Sequence, residues 1–124
     1  MQLAFQRTGG LLSGDEFADR LRERVLQPVS HVARWIVSNR VLSFSWRSQT
    51  LLPIFQFDPV DMTPSPSATA VVQELAGTLG DWDTALWFIE PNHLLNDAVP
   101  MDLLQAGAAS VLSAARAERF FARG

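Results

Sequence analysis

The sequence predicts a mainly α-helical protein with one small β-hairpin, arranged as a basic first module and an acidic, helical second module. Three observations predict this. Apolar residues recur at helical spacing through most of the chain, as in Phe17, Leu21 and Val25. One stretch, Leu42, Phe44 and Trp46 with Ser43 and Ser45 between them, changes to a period of two. Between the halves, residues 58–67 hold Pro59, Pro64 and Pro66 with two serines, which reads as a linker or irregular loop. The 124 residues, 48% hydrophobic and 19% charged, suit one domain or two very small ones.

Residues 13–26 read as the first helix. Ser13 and Glu16 have the spacing of a capping box, in which each side chain satisfies an orphan amide of the other. Arg20, Arg22, Glu23 and Arg24 take the faces away from the apolar stripe. Pro28 ends this helix or starts the next. Residues 29–39 are expected as a second helix, with Val29, Val32, Ala33 and Ile36 inward and Ser30, His31, Arg34 and Ser38 on a polar face. Asn39 is a plausible stop because Asn tolerates the left-handed conformation. Arg47-Ser48-Gln49 is the expected turn after the first strand, and Thr50 to Phe57 the second strand. Pro53 has no N–H for a ladder, so that strand is expected at an edge or with a break.

Beyond the linker, Ser67 is expected to cap a helix carrying Val71, Val72, Leu75 and Leu79 and ending at Gly80. Asp81 is expected to cap another, with Trp82, Ala85, Leu86 and Ile89 inward, ending at Pro91-Asn92. Asn96-Asp97 reads as a turn, and Pro100 suits the start of a short helix through Leu103-Leu104 that Gly107 interrupts. Ala108 to about Phe121 is the final expected helix, with Val111, Leu112 and Ala115 inward. The expected boundaries are therefore 1–57, 58–67 and 68–124.

All ten basic residues are arginine. Residues 1–57 carry seven of them against four acids, a net +3, while residues 58–124 carry three against nine acids, a net −6. The overall charge of −3 excludes a globally basic nucleic-acid coat, but the division suggests two surfaces with different partners. Without cysteine, disulfide scaffolds and thiolate chemistry are excluded. With only His31 and His93, no metal site is expected. There is no phosphate-cradling glycine loop and no nucleophile elbow, so no catalytic residue, enzymatic activity or cofactor is expected. No apolar run reaches the roughly 18 residues of a membrane helix. Residues 1–7 lack the pattern of a secretory signal, and a cytoplasmic protein is expected.

Helix, connection, helix and hairpin is the order of a winged helix-turn-helix, in which the second helix enters the major groove and the hairpin touches the backbone. Val29 to Ile36 resembles the recognition helix of excisionase-like and MerR-like DNA-binding domains, with Arg40-Val41-Leu42 and the hairpin as their wing. Candidate DNA contacts are Ser30, His31 and Arg34 on the helix, Arg40 after it, and Arg47 and Gln49 at the hairpin tip.

In the second half, Trp87-Phe88, Pro91-Asn92, Leu95, Pro100, Leu103-Leu104, Gly107 and Val111 stand in a fairly specific spacing. This pattern is similar to the toxin-binding domain of the Xre/MbcA/ParS antitoxin family and covers about half the chain. Asn96-Asp97 replaces the glycine pair usual in the family's turn, and Gln105-Ala106 departs from its approach to the later glycine. The resemblance implies an antitoxin of a type II toxin–antitoxin system. Its partner would be a RES-type, NAD-consuming toxin, and it would form a homodimer or higher oligomer that also represses its own operon. It implies toxin contacts from Arg116, Arg119, Phe120, Phe121 and Arg123. The residues leave two other readings open, a stand-alone DNA-binding regulator and a protein-interaction adaptor that does not bind DNA.

Overall fold

The computed structural model describes residues 2–123, and the side chains of residues 4–6 and 8–121. Helix α1 (Gln2–Phe5) runs into a 3-10 turn ending at Thr8, two elements too short to leave a periodic signal. Gly9 then takes a left-handed φ of 101°, and a Cβ there would lie 2.8 Å from Ile54 Cγ2, so both conformation and packing demand glycine. Strand β1 (Leu11–Ser13) follows. Ser13 caps α2 (Gly14–Leu21): its Oγ accepts from the Glu16 amide at 3.1 Å while Glu16 Oε1 accepts from the Ser13 amide at 3.0 Å. The capping box is thus formed as its spacing predicts, but the helix stops five residues short of Leu26. From Arg22 the chain tightens into 3-10 turns, with Arg22 N–H bonded to Asp19 O and Arg24 N–H to Leu21 O.

Helix α3 (Pro28–Val37) has Pro at its first position and ends in a Schellman motif on Asn39, whose φ is 57°. The Asn39 amide bonds to Ile36 O and the Arg40 amide to Trp35 O. The helix is rotated from its predicted facing. Val32 and Trp35 are buried with Ile36 beside them, while Val29 and Ala33 point outward. The inward stripe follows Trp35 because that ring buries far more apolar area than either small residue, edge-on to Phe17 at 6.3 Å.

The expected two-strand hairpin is part of a three-stranded antiparallel sheet, ordered β1–β3–β2. Strand β2 (Phe44–Trp46) turns through Arg47 and Ser48, both left-handed, into β3 (Gln49–Pro53). Leu51 of β3 pairs with Phe44 on one side and with Ser13 on the other. β3 is therefore central rather than an edge. Pro53 is accommodated because the β2–β3 ladder reaches only to the Phe44–Leu51 pair, and the strand breaks after it into a 3-10 turn (Ile54–Gln56). β1 escaped the sequence reading because three residues show no alternation and its partner lies some forty positions away.

Residues 58–65 form an ordered loop. Asp58 Oδ1 accepts from the Val60 amide, and the Asp58 amide bonds to Thr63 O. Helix α4 (Pro66–Ala76) starts one residue before Ser67, with Pro66 at its first position. Helix α5 (Asp81–Ile89) is capped by Gly80, with Asp81 and Asp83 in its first turn. It buries Thr84, Ala85, Trp87 and Phe88, so Trp82 lies at the surface rather than inward. A 3-10 turn (His93–Leu95) leads to Asn96 and Asp97, both left-handed as a tight turn requires. Helices α6 (Pro100–Leu103) and α7 (Ala108–Arg123) complete the chain, with Val111, Ala114 and Ala115 of α7 buried. The architecture is mainly helical with a small sheet. Among the described residues no helix is long and apolar enough to cross a membrane.

Two hydrophobic clusters flank the sheet. Leu12, Phe17, Leu21, Val32, Trp35, Val41, Leu52 and Phe57 form one. In the other, Phe5, Leu42, Phe44 and Leu51 join the buried faces of α4, α5 and α7. Buried Gln56 links strand to turn: its Oε1 accepts from the Leu42 amide at 2.6 Å and its Nε2 donates to Leu42 O and Pro53 O. Gln56→Leu strands the Leu42 amide and carbonyl in apolar surroundings. It is expected to cost about 2–4 kcal/mol, read as a lower urea midpoint with an unchanged m value. A second expectation concerns acid. Hydrogen bonds from the Ser13 amide and hydroxyl hold the Glu16 carboxyl below its ordinary value of 4.5. Its stabilisation is present above that value and lost as pH falls through the lowered folded-state value. The difference in urea midpoint between the wild type and Glu16→Gln should therefore be largest near neutrality and shrink as pH falls past 4.5.

Candidate nucleic-acid and partner surfaces

The exposed side of α3 carries Ser30 and Arg34, with His31 half-buried against Trp35 at a ring separation of 6.1 Å. The helix end then brings Arg40 back beside them. His31, Arg34 and Arg40 line one open depression of about 670 Å³, floored by Ala33, Trp35 and Val37. Three of the predicted DNA-contact residues are therefore gathered on one surface. Ser30 is exposed in the first turn of the same helix.

The same face is less polar than the sequence suggests. Leu26 is 89% exposed and Val37 82%, and with Val29 and Ala33 they make an outward apolar stripe at 26, 29, 33 and 37. This stripe follows from the rotation of α3 described above. Once Val32 and Trp35 take the core, Val29, Ala33 and Val37, on the other side of the helix, are turned to solvent.

Arg47 and Gln49 are not gathered with this set. The hairpin tip lies against α5: Trp46 stacks on Trp82 with ring centroids 5.8 Å apart and planes 11° from parallel, and Phe44 meets Trp82 edge-on. Arg47 lies over the Trp46 ring at 5.6 Å, a cation–π contact that occupies its guanidinium. Trp46 is 39% exposed, so it serves as a surface latch and not as the core residue its strand position suggests. No sequence pattern pointed to Trp82 as its partner, since the two stand 36 positions apart on elements of different period.

At the other surface, α7 runs outward past the core. Phe120 is 73% and Phe121 67% exposed, with their rings edge-on at 5.8 Å. Arg116 is exposed, and Arg119 donates to Glu74 Oε1 of α4 at 3.3 Å, a half-exposed pair that ties the helix down. The side chain of Arg123 lies outside the described residues. The motif residues Trp87, Leu95, Leu104 and Val111 are buried and Leu103 packs against the same cluster, so the spacing that drew notice is core packing. The Trp87 indole N–H is buried with no acceptor among the described residues. Nor do the described residues gather three or more His, Asp or Glu as a metal site. No family model, curated protein or solved structure matches the chain.

Trp82→Ala is expected to release the hairpin. Loss of two aromatic contacts and of ring burial should cost about 1–3 kcal/mol. Amide exchange across residues 44–50 should accelerate more than exchange in α7.

Proposed function

We propose that the chain is an antitoxin that neutralises a RES-type, NAD-consuming toxin by direct binding and represses its own operon through α3. The observation that carries the toxin half is the exposed Phe120–Phe121 pair. Two adjacent aromatics held out by an anchored helix, with Arg116 one turn before them, are an anchor without a socket in this chain. The spacing from Trp87 to Val111 supports the family resemblance, and its residues form one continuous core beneath that helix. For the DNA half, support comes from Arg34 and Arg40 gathered beside His31 and from a helix pair backed by a sheet whose last two strands form the hairpin.

The second reading is an adaptor that does not touch DNA. The apolar stripe of Leu26, Val29, Ala33 and Val37 favours it, because these side chains suit a protein surface better than a phosphate backbone.

The deciding experiment expresses the product of the adjacent reading frame with and without this chain and measures growth and cellular NAD. Growth arrest with NAD loss, reversed by this chain, is the expected result; no toxicity, or toxicity without rescue, refutes the antitoxin reading. Phe120→Asp with Phe121→Asp should abolish rescue while leaving the melting temperature within about 2 °C, since both residues are exposed. Arg34→Ala should weaken operator binding about tenfold at low salt and reduce its salt dependence, without changing rescue. Unchanged DNA affinity in that variant would move the DNA-reading role off α3.

A further inference from the structure

A cavity of about 610 Å³ opens at the seam between the two hydrophobic clusters. It is separate from the depression on α3 and from the Phe120–Phe121 surface. Phe55, packed on one cluster, and Ile54 and Met62, packed on the other, present its apolar wall with Pro59, over the buried Phe17, Phe57, Met101 and Leu104. Arg20 of α2 and Arg24 of the turns that follow it stand at its rim with Asp58 and Asp102. Its size falls within the roughly 300–1,000 Å³ of small-molecule sites, and an apolar floor with a few convergent polar groups is their usual make-up.

The rim charges differ in what they have left to offer. Asp58 Oδ1 already accepts from the Val60 and Asp61 amides, and Asp102 is itself partnered. Arg24 spends one N–H on Val60 O at 2.8 Å. Arg20 makes no hydrogen bond among the described residues, which leaves its planar fork of donors open to a carboxylate. Asp58 and Asp102 at the same rim disfavour a dianion such as a phosphate ester. We infer that this cavity binds a small amphipathic monocarboxylate, its apolar body against Phe55 and Met62 and its head on Arg20 and Arg24. Such a ligand touches both clusters at once. It therefore couples the α2–α3 layer to the layer of α4–α7, and it stabilises the folded chain increasingly, as the logarithm of its concentration above the dissociation constant.

The test titrates the full chain with decanoate and with 2-naphthoate by calorimetry, with amide chemical shifts to locate the site. Saturable one-to-one binding of at least one probe is expected, with shifts centred on α2, residues 54–62 and α6. Arg20→Gln should weaken it about tenfold, and decanol should bind the wild type no better than decanoate binds that variant. Gln105→Trp, a change at the exposed rim, should block binding while the melting temperature holds. Absence of saturable binding by both probes would overturn the inference. So would equal affinity in Arg20→Gln, or shifts confined to Phe120 and Phe121.

Discussion

The central strand β3 is buried on both faces, and most of the molecule is arranged by that constraint. Leu51 enters the cluster shared with α4, α5 and α7, while its neighbour Leu52 enters the cluster under α2 and α3. Antiparallel sheets often keep one face in water, with polar residues alternating along the strand. Here neither face of β3 has that option at its buried end, where Leu51, Leu52 and Pro53 run consecutively. A one-residue slip would exchange Leu51 with Leu52 and put each into a site shaped for the other. The Gln56 amide, satisfying Leu42 where β2 has not yet begun, supplies the bonds the short ladder lacks.

A sheet used as a shared wall explains how the halves relate. Their charges differ in sign and a proline-rich segment separates them, yet Phe5, Leu42 and Phe44 from the first half pack with Val71, Phe88 and Val111 from the second. The aromatic latch of Trp46 on Trp82 extends this contact to the hairpin tip. One consequence bears on function. A hairpin held on α5 by Trp82 sits against a helix whose first turn carries two acids, Asp81 and Asp83. The basic residues on α3 carry no such neighbour in their depression, so α3 bears the electrostatic case for nucleic acid.

The surfaces not consumed by this packing are the ones available to partners. The outward side of α3 and its C-terminal end combine two arginines and a histidine with an apolar stripe, and α7 carries its phenylalanine pair clear of the core. The Glu74–Arg119 contact matters here because it holds the last turns of α7 against α4 by a bond at the helix flank, leaving the aromatic pair free.

The sequence by itself determined the helical class, the capping box of Ser13 and Glu16, the stop at Asn39, the turns at 47–48 and 96–97, and the core role of Trp87, Leu95, Leu104 and Val111. Each of these is a local matter, decided by side chains within about a turn of one another or by periodicity along one element. Only the tertiary structure decided the rest. The strand at 11–13, the central place of β3, the outward turn of Val29 and Ala33, and the pairing of Trp46 with Trp82 depend on partners far away in the chain. So do the convergence of His31, Arg34 and Arg40 and the cavity at the seam. Local patterning says that a residue has an apolar neighbour, but which neighbour, and which of two competing faces wins, is set by the larger buried area available when the layers close.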